Sequence, residues 1–380
     1  MRIAQVSHSL ECGGSMAMVV ALSSKLAEFG HEVDVICLDR PTGSAHEQLW
    51  RSFLDQRLVS TRFLGRKLKW PGFSQAVKFW CLVQHRKYDI VHSHLPMPDA
   101  MTGLVRRSSP SCFRHVLTVH NTYEPRSPLL TAFASGANTV YCSEAAKRRN
   151  PVPGVSSRVI PNGIVQSSSL TPCAKRDETR RQLGIPMDAI VVIAVGRICA
   201  QKNFEAAIDA IAILARKPCA KTLRYLFCGE GHDKGRLETR ARELGINACV
   251  QFLGNRTDIP ALLEASDVFL STSLYEGMPL TVLEALHAGL RCVLSSIDEH
   301  YEIAKTMPGC RFAPPNHPEE IAMALEAAVS ESIWPSDLKH ARATLLEKFS
   351  IEKCVASYLS LYQSLCHVER REMYAARECK

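Results

Sequence analysis

Two glutamates in the C-terminal half, Glu276 and Glu284, stand eight positions apart with Gly277 and Pro279 between them. Upstream, Asp267-Val268-Phe269-Leu270 is the short apolar run of a buried parallel strand, and Pro279 has the fixed φ and missing N–H that suit a first helical position. Gly289 supplies a stop, so a helix is expected over about Pro279 to Ala288. Its N-terminus follows the loop of Tyr275, Glu276, Gly277 and Met278. There the amides of Leu280 and Thr281 and the positive end of the helix dipole make a place for a phosphate. Glu284, inside the helix, could accept hydrogen bonds from vicinal ribose hydroxyls, while Glu276 could order the loop or reach a sugar. Two surface acids at this spacing also arise by chance, so the pair must be judged with the elements around it.

A second group of charges lies after the buried strand Ala189 to Val195. Arg197 and Lys202 flank the loop before a helix that begins near Phe204; together they can neutralise a diphosphate, the Arg by forked hydrogen bonds and the Lys as a movable point charge. Alone, each would be a solvated surface group. Arg224 to Gly231 reads as another strand with a glycine turn at Gly229 and Glu230, and Val250 to Pro260 repeats that pattern with Arg256 in its loop. At the start of the chain, a strand at Ile3 to Ser7, a Gly13-Gly14 turn, a helix from about Met16 to Phe29 and a strand at His31 to Cys37 make a βαβ unit of the doubly wound type. The Gly13-Gly14 turn lets backbone approach a ligand, but GxGxxG spacing is missing, which argues against a dinucleotide. Tyr88 to His94 and Val116 to His120 are strands ending in polar residues, where ligands of such sheets collect. His92 and His94 have no third ligand at a telling distance and read as structural, so no metal is expected.

These segments, in this order, resemble one family. E-G-M-P-L-T-V-L-E-A-L-H-A-G-L is similar to the E-x7-E motif of retaining GT-B glycosyltransferases, particularly family 4 in its bacterial surface-polysaccharide form. V-G-R-x-x-x-Q-K-N resembles the family's diphosphate-binding loop, and D-I-V-H-S-H and T-V-H-N resemble its N-terminal domain. The resemblance spans about Arg2 to Leu365 and implies an α/β chain of two Rossmann-like doubly wound domains facing across a cleft. Residues 1–165 would be the acceptor domain, 166–187 a linker, 188–348 the nucleotide-sugar domain, and 349–380 a helix returning to the first domain with a charged tail. It further implies Arg197 and Lys202 on the diphosphate, His120 facing the donor sugar, and Gly229, Glu230 and Arg256 beside the base. Glu276, Glu284 and the Gly277, Met278, Pro279, Leu280 and Thr281 segment would hold the donor, with Gly13 and Gly14 approaching it. No DxD metal site stands out, so transfer with retention and without metal or cofactor is expected. The L-Y-E-G-M-P-L wording favours a UDP-sugar, with a GDP-sugar also open, and a glycan or lipid-linked acceptor of cell-envelope polysaccharide or lipopolysaccharide synthesis.

Composition fits this expectation. The 380 residues suit two domains, and 46% hydrophobic with 22% charged residues is normal for a globular enzyme. No apolar run approaches the roughly 20 residues of a membrane span. The start, Met1 to His8, is too short in its apolar part for a secretory signal, so a cytoplasmic protein is expected. Fifteen cysteines without a CxxC pair suggest neither a disulfide framework nor zinc. Residues 51–87 carry nine Lys or Arg and one acid, interleaved with Trp and Phe. That stretch suits either an anionic membrane surface or a solvated helix packed through its aromatics, and no nucleic-acid motif accompanies it. A GT-B epimerase or phosphorylase, or a non-catalytic membrane adaptor on the same fold, are the alternatives. A phosphorylase needs a larger framework with a pyridoxal-bearing Lys, an epimerase has no reason for the Arg197 to Lys202 loop, and an adaptor has no reason to keep all these side chains.

Overall fold

The computed structural model describes residues 1–11, 13–66, 73–109, 113–122, 138–151, 156–164, 176–218, 222–330 and 335–378. The chain divides into two compact units, Met1–Gly163 with Phe349–Lys380, and Ile164–Lys348. Each is built on one parallel sheet.

In the first unit the strands are β1 (Arg2–Ser7), β2 (Glu32–Asp39), β3 (Ser60–Arg66), β4 (Ile90–His94), β5 (Arg114–Val119), β6 (Asn138–Tyr141) and β7 (Ser157–Val159). Their order is β3-β2-β1-β4-β5-β6-β7. The connection direction therefore reverses between β1 and β4, the switch point at which doubly wound sheets bind ligands. β1 is buried at every position after Arg2 because helices cover both faces of a parallel sheet, which is why its sequence does not alternate. β4, Ile-Val-His-Ser-His, is wholly buried although three of its five residues are polar. Such burial is tolerated only where each polar group finds a partner, and these do. The last helix, Ile351–Glu378, belongs to this unit and brings the buried Tyr358 and Tyr362 against the sheet. It extends beyond the Leu365 at which apolar spacing ends in the sequence. The helix starts so close to the end of the first segment that a Cβ on Gly163 would stand 2.4 Å from the Cα of Ile351.

The basic stretch is balanced in space. Arg51 pairs with Glu47, Arg57 with Glu28, Arg66 with Asp39, and both Arg62 and Arg86 with the buried Asp34. Arg51 and Arg57 also lie over the Phe63 and Phe53 rings. Five of the nine basic residues thus answer acids, all of them outside the stretch, leaving Lys78 and Lys87 without an ion pair among the described residues. Lys67, Lys69 and Trp70 lie outside the described residues.

The second unit repeats the plan with β8 (Val191–Val195), β9 (Arg224–Cys228), β10 (Val250–Gly254), β11 (Val268–Ser271), β12 (Arg291–Ser295) and β13 (Cys310–Ala313), in the order β10-β9-β8-β11-β12-β13. The helix Phe204–Ala215, apolar nearly all round, packs with Pro318–Ser330 on Val192, Ala194, Tyr225 and Phe227. Here the switch point lies between β8 and β11. The helix Arg176–Gln182 falls in the stretch that reads as linker, yet it is fastened to this unit. Arg180, only 2% exposed, donates to the carbonyls of Ala265, Met187 and Ala189 and to Asp267. The preceding residues 165–175 lie outside the described residues. Among the described residues no helix is long and apolar enough to cross a membrane.

Candidate active site

At the switch point of the second unit, the loops following β8 and β11 meet edge to edge. The Lys202 Nζ stands 2.5 Å from Oε1 of Glu276, and Ser273 Oγ donates to the same oxygen at 2.6 Å. Gln201 Nε2 donates to the Tyr275 carbonyl at 2.9 Å and reaches the other Glu276 oxygen at 3.4 Å. Thr272 Oγ1 bonds the carbonyls of Lys202 and Asn203, while the Leu274 amide bonds the Gln201 carbonyl, so each loop templates the other. Asn203 completes the turn in a left-handed conformation, φ 48°, which Asn tolerates, and its side-chain amide donates to the Pro315 carbonyl at 2.6 Å. Glu276 therefore serves as the fixed counter-charge of Lys202.

Behind this pair stands His300, fully buried on the Asp298–Ala304 helix. Its Nδ1 is 2.9 Å from the Ser295 carbonyl and its Nε2 3.4 Å from Ser271 Oγ, while Ser295 Oγ donates to the Ser273 carbonyl at 2.6 Å. Burial pushes the His300 imidazole down to about 4, so it is neutral at physiological pH and adds no charge next to Lys202. His300, Ser273 and Ser295 hold Glu276 in place and escaped the sequence reading. The signal was present, since S-T-S and S-S sit at the ends of two adjacent buried strands, where a polar run needs a reason.

The helix beyond runs Leu280–Ala288. Pro279 precedes it rather than opening it. Its φ of −70° suits a helix, but ψ 111° is extended, because the chain is still leaving the loop. No side chain caps this end, and Gly289 closes the other at φ 82° as expected. Gly277, Met278 and Leu280 are buried and Thr281 half-buried. Glu284 is half-buried without a hydrogen-bond partner among the described residues, and its apolar surroundings push its carboxyl up to about 7. Arg197 is exposed with no partner among the described residues, unlike Lys202.

Around them, Gly229 is fixed by close approach. It has φ 150°, its amide donates to the Gly254 carbonyl at 2.8 Å, and a Cβ there would stand 1.9 Å from the Gly196 carbonyl oxygen. Glu230 accepts the Ile198 amide on its carbonyl and Lys234 on its carboxylate. Arg256 is engaged by Asp258 through two hydrogen bonds of 2.8 and 2.6 Å. The structure thus brings Lys202 and Glu276 into contact and frames them with the loops of Arg197, Gly229 and Glu230.

In the first unit, Gly13 and Gly14 are exposed at the start of the Gly14–Glu28 helix, and the space a Gly13 Cβ would fill is open. His120 follows β5. Its Nε2 lies 2.9 Å from Nδ1 of His94, with the rings stacked, and burial pushes it down to about 4. His92 and His94, both buried, are likewise held neutral by burial. Leu95, immediately after His94, has φ 76°, a conformation that costs a non-glycine residue of order 1–3 kcal/mol and collects at functional sites. Among the described residues, no three His, Cys, Asp or Glu side chains converge as a metal site.

Two family models cover consecutive parts of this chain, "Glycosyltransferase Family 4" over residues 12–167 and "Glycosyl transferases group 1" over residues 175–343. The chain belongs to the family 4 glycosyltransferases. The transferase is 27% identical over 307 residues to the UDP-Gal:alpha-D-GlcNAc-diphosphoundecaprenol alpha-1,3-galactosyltransferase of Escherichia coli, an alignment of 75% of this chain and 78% of that one. It is 29% identical over 187 residues to the lipopolysaccharide core biosynthesis glycosyltransferase LpsE of Rhizobium meliloti, covering 49% and 53% of the two chains. Its fold superposes on Anabaena HepE in complex with UDP and glucose with a TM-score of 0.78 at 18% identity, across 96% of this chain and all of that one. The transferase therefore has the GT-B fold, two parallel doubly wound sheets with surrounding helices.

Proposed function

We propose that the protein transfers a hexosyl group from a UDP-sugar to a glycan or lipid-linked acceptor in cell-envelope polysaccharide or lipopolysaccharide synthesis, with retention at the anomeric carbon and without a metal. The carrying observation is the convergence at the β8–β11 switch point of Lys202, Glu276 and an uncapped helix N-terminus. The relatives' names favour UDP-sugars and polyprenyl-linked or lipopolysaccharide acceptors. In the proposed reaction the bond between the anomeric carbon and the diphosphate oxygen breaks, and its electron pair goes to that oxygen. The acceptor oxygen bonds the anomeric carbon on the same face, and its proton passes to the departing phosphate. Arg197, Lys202 and the amides of Leu280 and Thr281 hold the developing negative charge, which is where preorganised donors act most strongly. Glu284 takes the ribose hydroxyls, and His120 serves the sugar.

Nucleotide-induced thermal stabilisation tests this reading. A ligand at about 100 times Kd adds roughly 2.7 kcal/mol of stability, so UDP should raise the melting temperature selectively over GDP, ADP and CMP, with or without Mg²⁺. The effect should depend on pH in a stated direction. Because the free Glu284 carboxyl titrates at about 7 and only the carboxylate accepts both ribose hydroxyls, UDP should bind about tenfold tighter at pH 8 than at pH 6. Glu284→Gln should bind weakly and lose that pH dependence. A selective GDP shift would redirect the donor; no shift with any nucleotide would remove the reading.

A lipid-linked acceptor requires a membrane-facing surface, and we place it on the Phe73–Arg86 helix, where Val77, Lys78 and Trp80 are exposed. Trp80 is anchored by its indole N–H on Ser109, and the ring remains 41% exposed. Flotation with anionic vesicles should fall severalfold in Lys78→Glu combined with Trp80→Ser; equal flotation would refute this placement.

A further inference from the structure

Behind His120 runs an unbroken chain of hydrogen bonds through buried side chains of β1, β4, β5 and the C-terminal helix. Tyr358 Oη lies 2.9 Å from Thr118 Oγ1, which lies 2.7 Å from His92 Nε2. His92 Nδ1 is 2.7 Å from Tyr362 Oη, and Gln5 Nε2 donates to that hydroxyl at 3.4 Å. Gln5 Oε1 is 2.7 Å from His94 Nε2, and His94 Nδ1 is 2.9 Å from His120 Nε2. All members except His120 are essentially excluded from solvent, so none can exchange its partner for water.

A neutral imidazole has one donor and one acceptor nitrogen. The orientation of the Gln5 amide therefore dictates the tautomer of His94 and, through it, that of His120. With the Gln5 amide toward Tyr362 and its carbonyl toward His94, His94 must donate from Nε2. Its Nδ1 is then bare and accepts the hydrogen bond from His120 Nε2–H. What remains on His120 is a bare Nδ1, which has no hydrogen bond among the described residues. Were Gln5 reversed, His94 would accept at Nε2 and donate from Nδ1, and His120 would present an Nδ1–H instead.

We propose that Gln5 and His94 are positioning residues that hold His120 in its Nε2–H tautomer, so that its Nδ1 serves as a hydrogen-bond acceptor for a hydroxyl of the donor sugar. The functional half of this statement rests on the reading of His120 as a sugar contact. Two β-strands and the C-terminal helix thereby set a property of one ring nitrogen. Tyr362, more than 350 positions from Gln5 in sequence, receives the Gln5 amide N–H.

Nitrogen-15 NMR of the full chain labelled in the histidine rings tests it, with the His120 signals assigned by their loss in His120→Asn. The wild type should show His120 with a protonated Nε2 and an unprotonated Nδ1. In Gln5→Met the two tautomers should mix, and kcat for cleavage of the UDP-hexose the wild type turns over should fall about tenfold while UDP Kd stays within about twofold. A protonated Nδ1 in the wild type would overturn the assignment, as would a Gln5→Met variant with unchanged tautomer and kcat. If Gln5→Met does not fold, the wild-type spectrum decides alone. A wild type that cleaves no UDP-hexose yet shows the expected tautomer would refute the transferase reading and leave the relay standing.

Discussion

Lys202→Ala should lower kcat by about 10²- to 10³-fold, the cost of removing one preorganised donor to a developing anion, about 3 to 4 kcal/mol. The same substitution should also destabilise the second unit. Glu276, 6% exposed, would lose its counter-ion, and breaking a buried pair on one side typically costs about 3 to 5 kcal/mol. Ser273 and Gln201 still bind the carboxylate, so the lower end is expected, a fall of about 6 to 12 °C in melting temperature. Adding Glu276→Gln removes the orphaned charge and should return most of the lost stability without returning activity. That split between stability and turnover distinguishes a catalytic cation from a structural one. A stable Lys202→Ala variant with unchanged kcat/KM would remove the diphosphate role.

Gly229→Ala should prevent the second unit from folding or cost it more than about 3 kcal/mol. The new Cβ would meet the Gly196 carbonyl oxygen at 1.9 Å, and that obstacle is backbone, not the movable tip of a side chain. The conformation at φ 150° is also one that side-chain-bearing residues avoid. Relief would require separating the loops after β8 and β9, which displaces Arg197. Gly235→Ala is the control. It lies in the Lys234–Glu243 helix with nothing near its Cβ position, so alanine there should be neutral or stabilise by up to about 1 kcal/mol. Equal melting temperatures for the two variants would contradict the close packing of these loops.

What the sequence disclosed and what it withheld have a common physical basis. Buried parallel strands announce themselves by continuous apolar runs, and β8 and β11 are found within about two residues of where those runs place them. The helix after Pro279 is legible because proline and glycine bound it, and its start is displaced by one residue because only ψ separates a cap from a first turn. The pairing of Lys202 with Glu276, 74 positions apart, is invisible locally. It follows from β8 lying beside β11, which the order of strands along the chain does not state. The basic character of residues 51–87 is partly offset for the same reason. Its arginines answer Glu28, Asp34 and Asp39 on neighbouring elements, so charge counted along the chain exaggerates charge presented to a partner. His94 reads as structural because no third metal ligand stands at a telling distance from it, and only the fold places it 2.9 Å from His120.

The Lys202–Glu276 pair also bears on how a donor enters. Lys202 is paired with Glu276, whereas Arg197 has no partner among the described residues and the helix N-terminus has no side-chain cap. A diphosphate arriving there would first meet Arg197 and the amides, and would then compete with Glu276 for Lys202. In the proposed reaction, Glu276 released in this exchange would be free to bond the sugar.

The most direct measurement is the anomeric configuration of the first hexose released when the protein cleaves a UDP-α-hexose, followed by proton NMR before mutarotation. The account predicts that the α-anomer appears first, with EDTA present, and that Lys202→Ala abolishes its appearance. Initial release of the β-anomer, or a strict requirement for a divalent metal, would contradict transfer by retention through the site at the β8–β11 switch point.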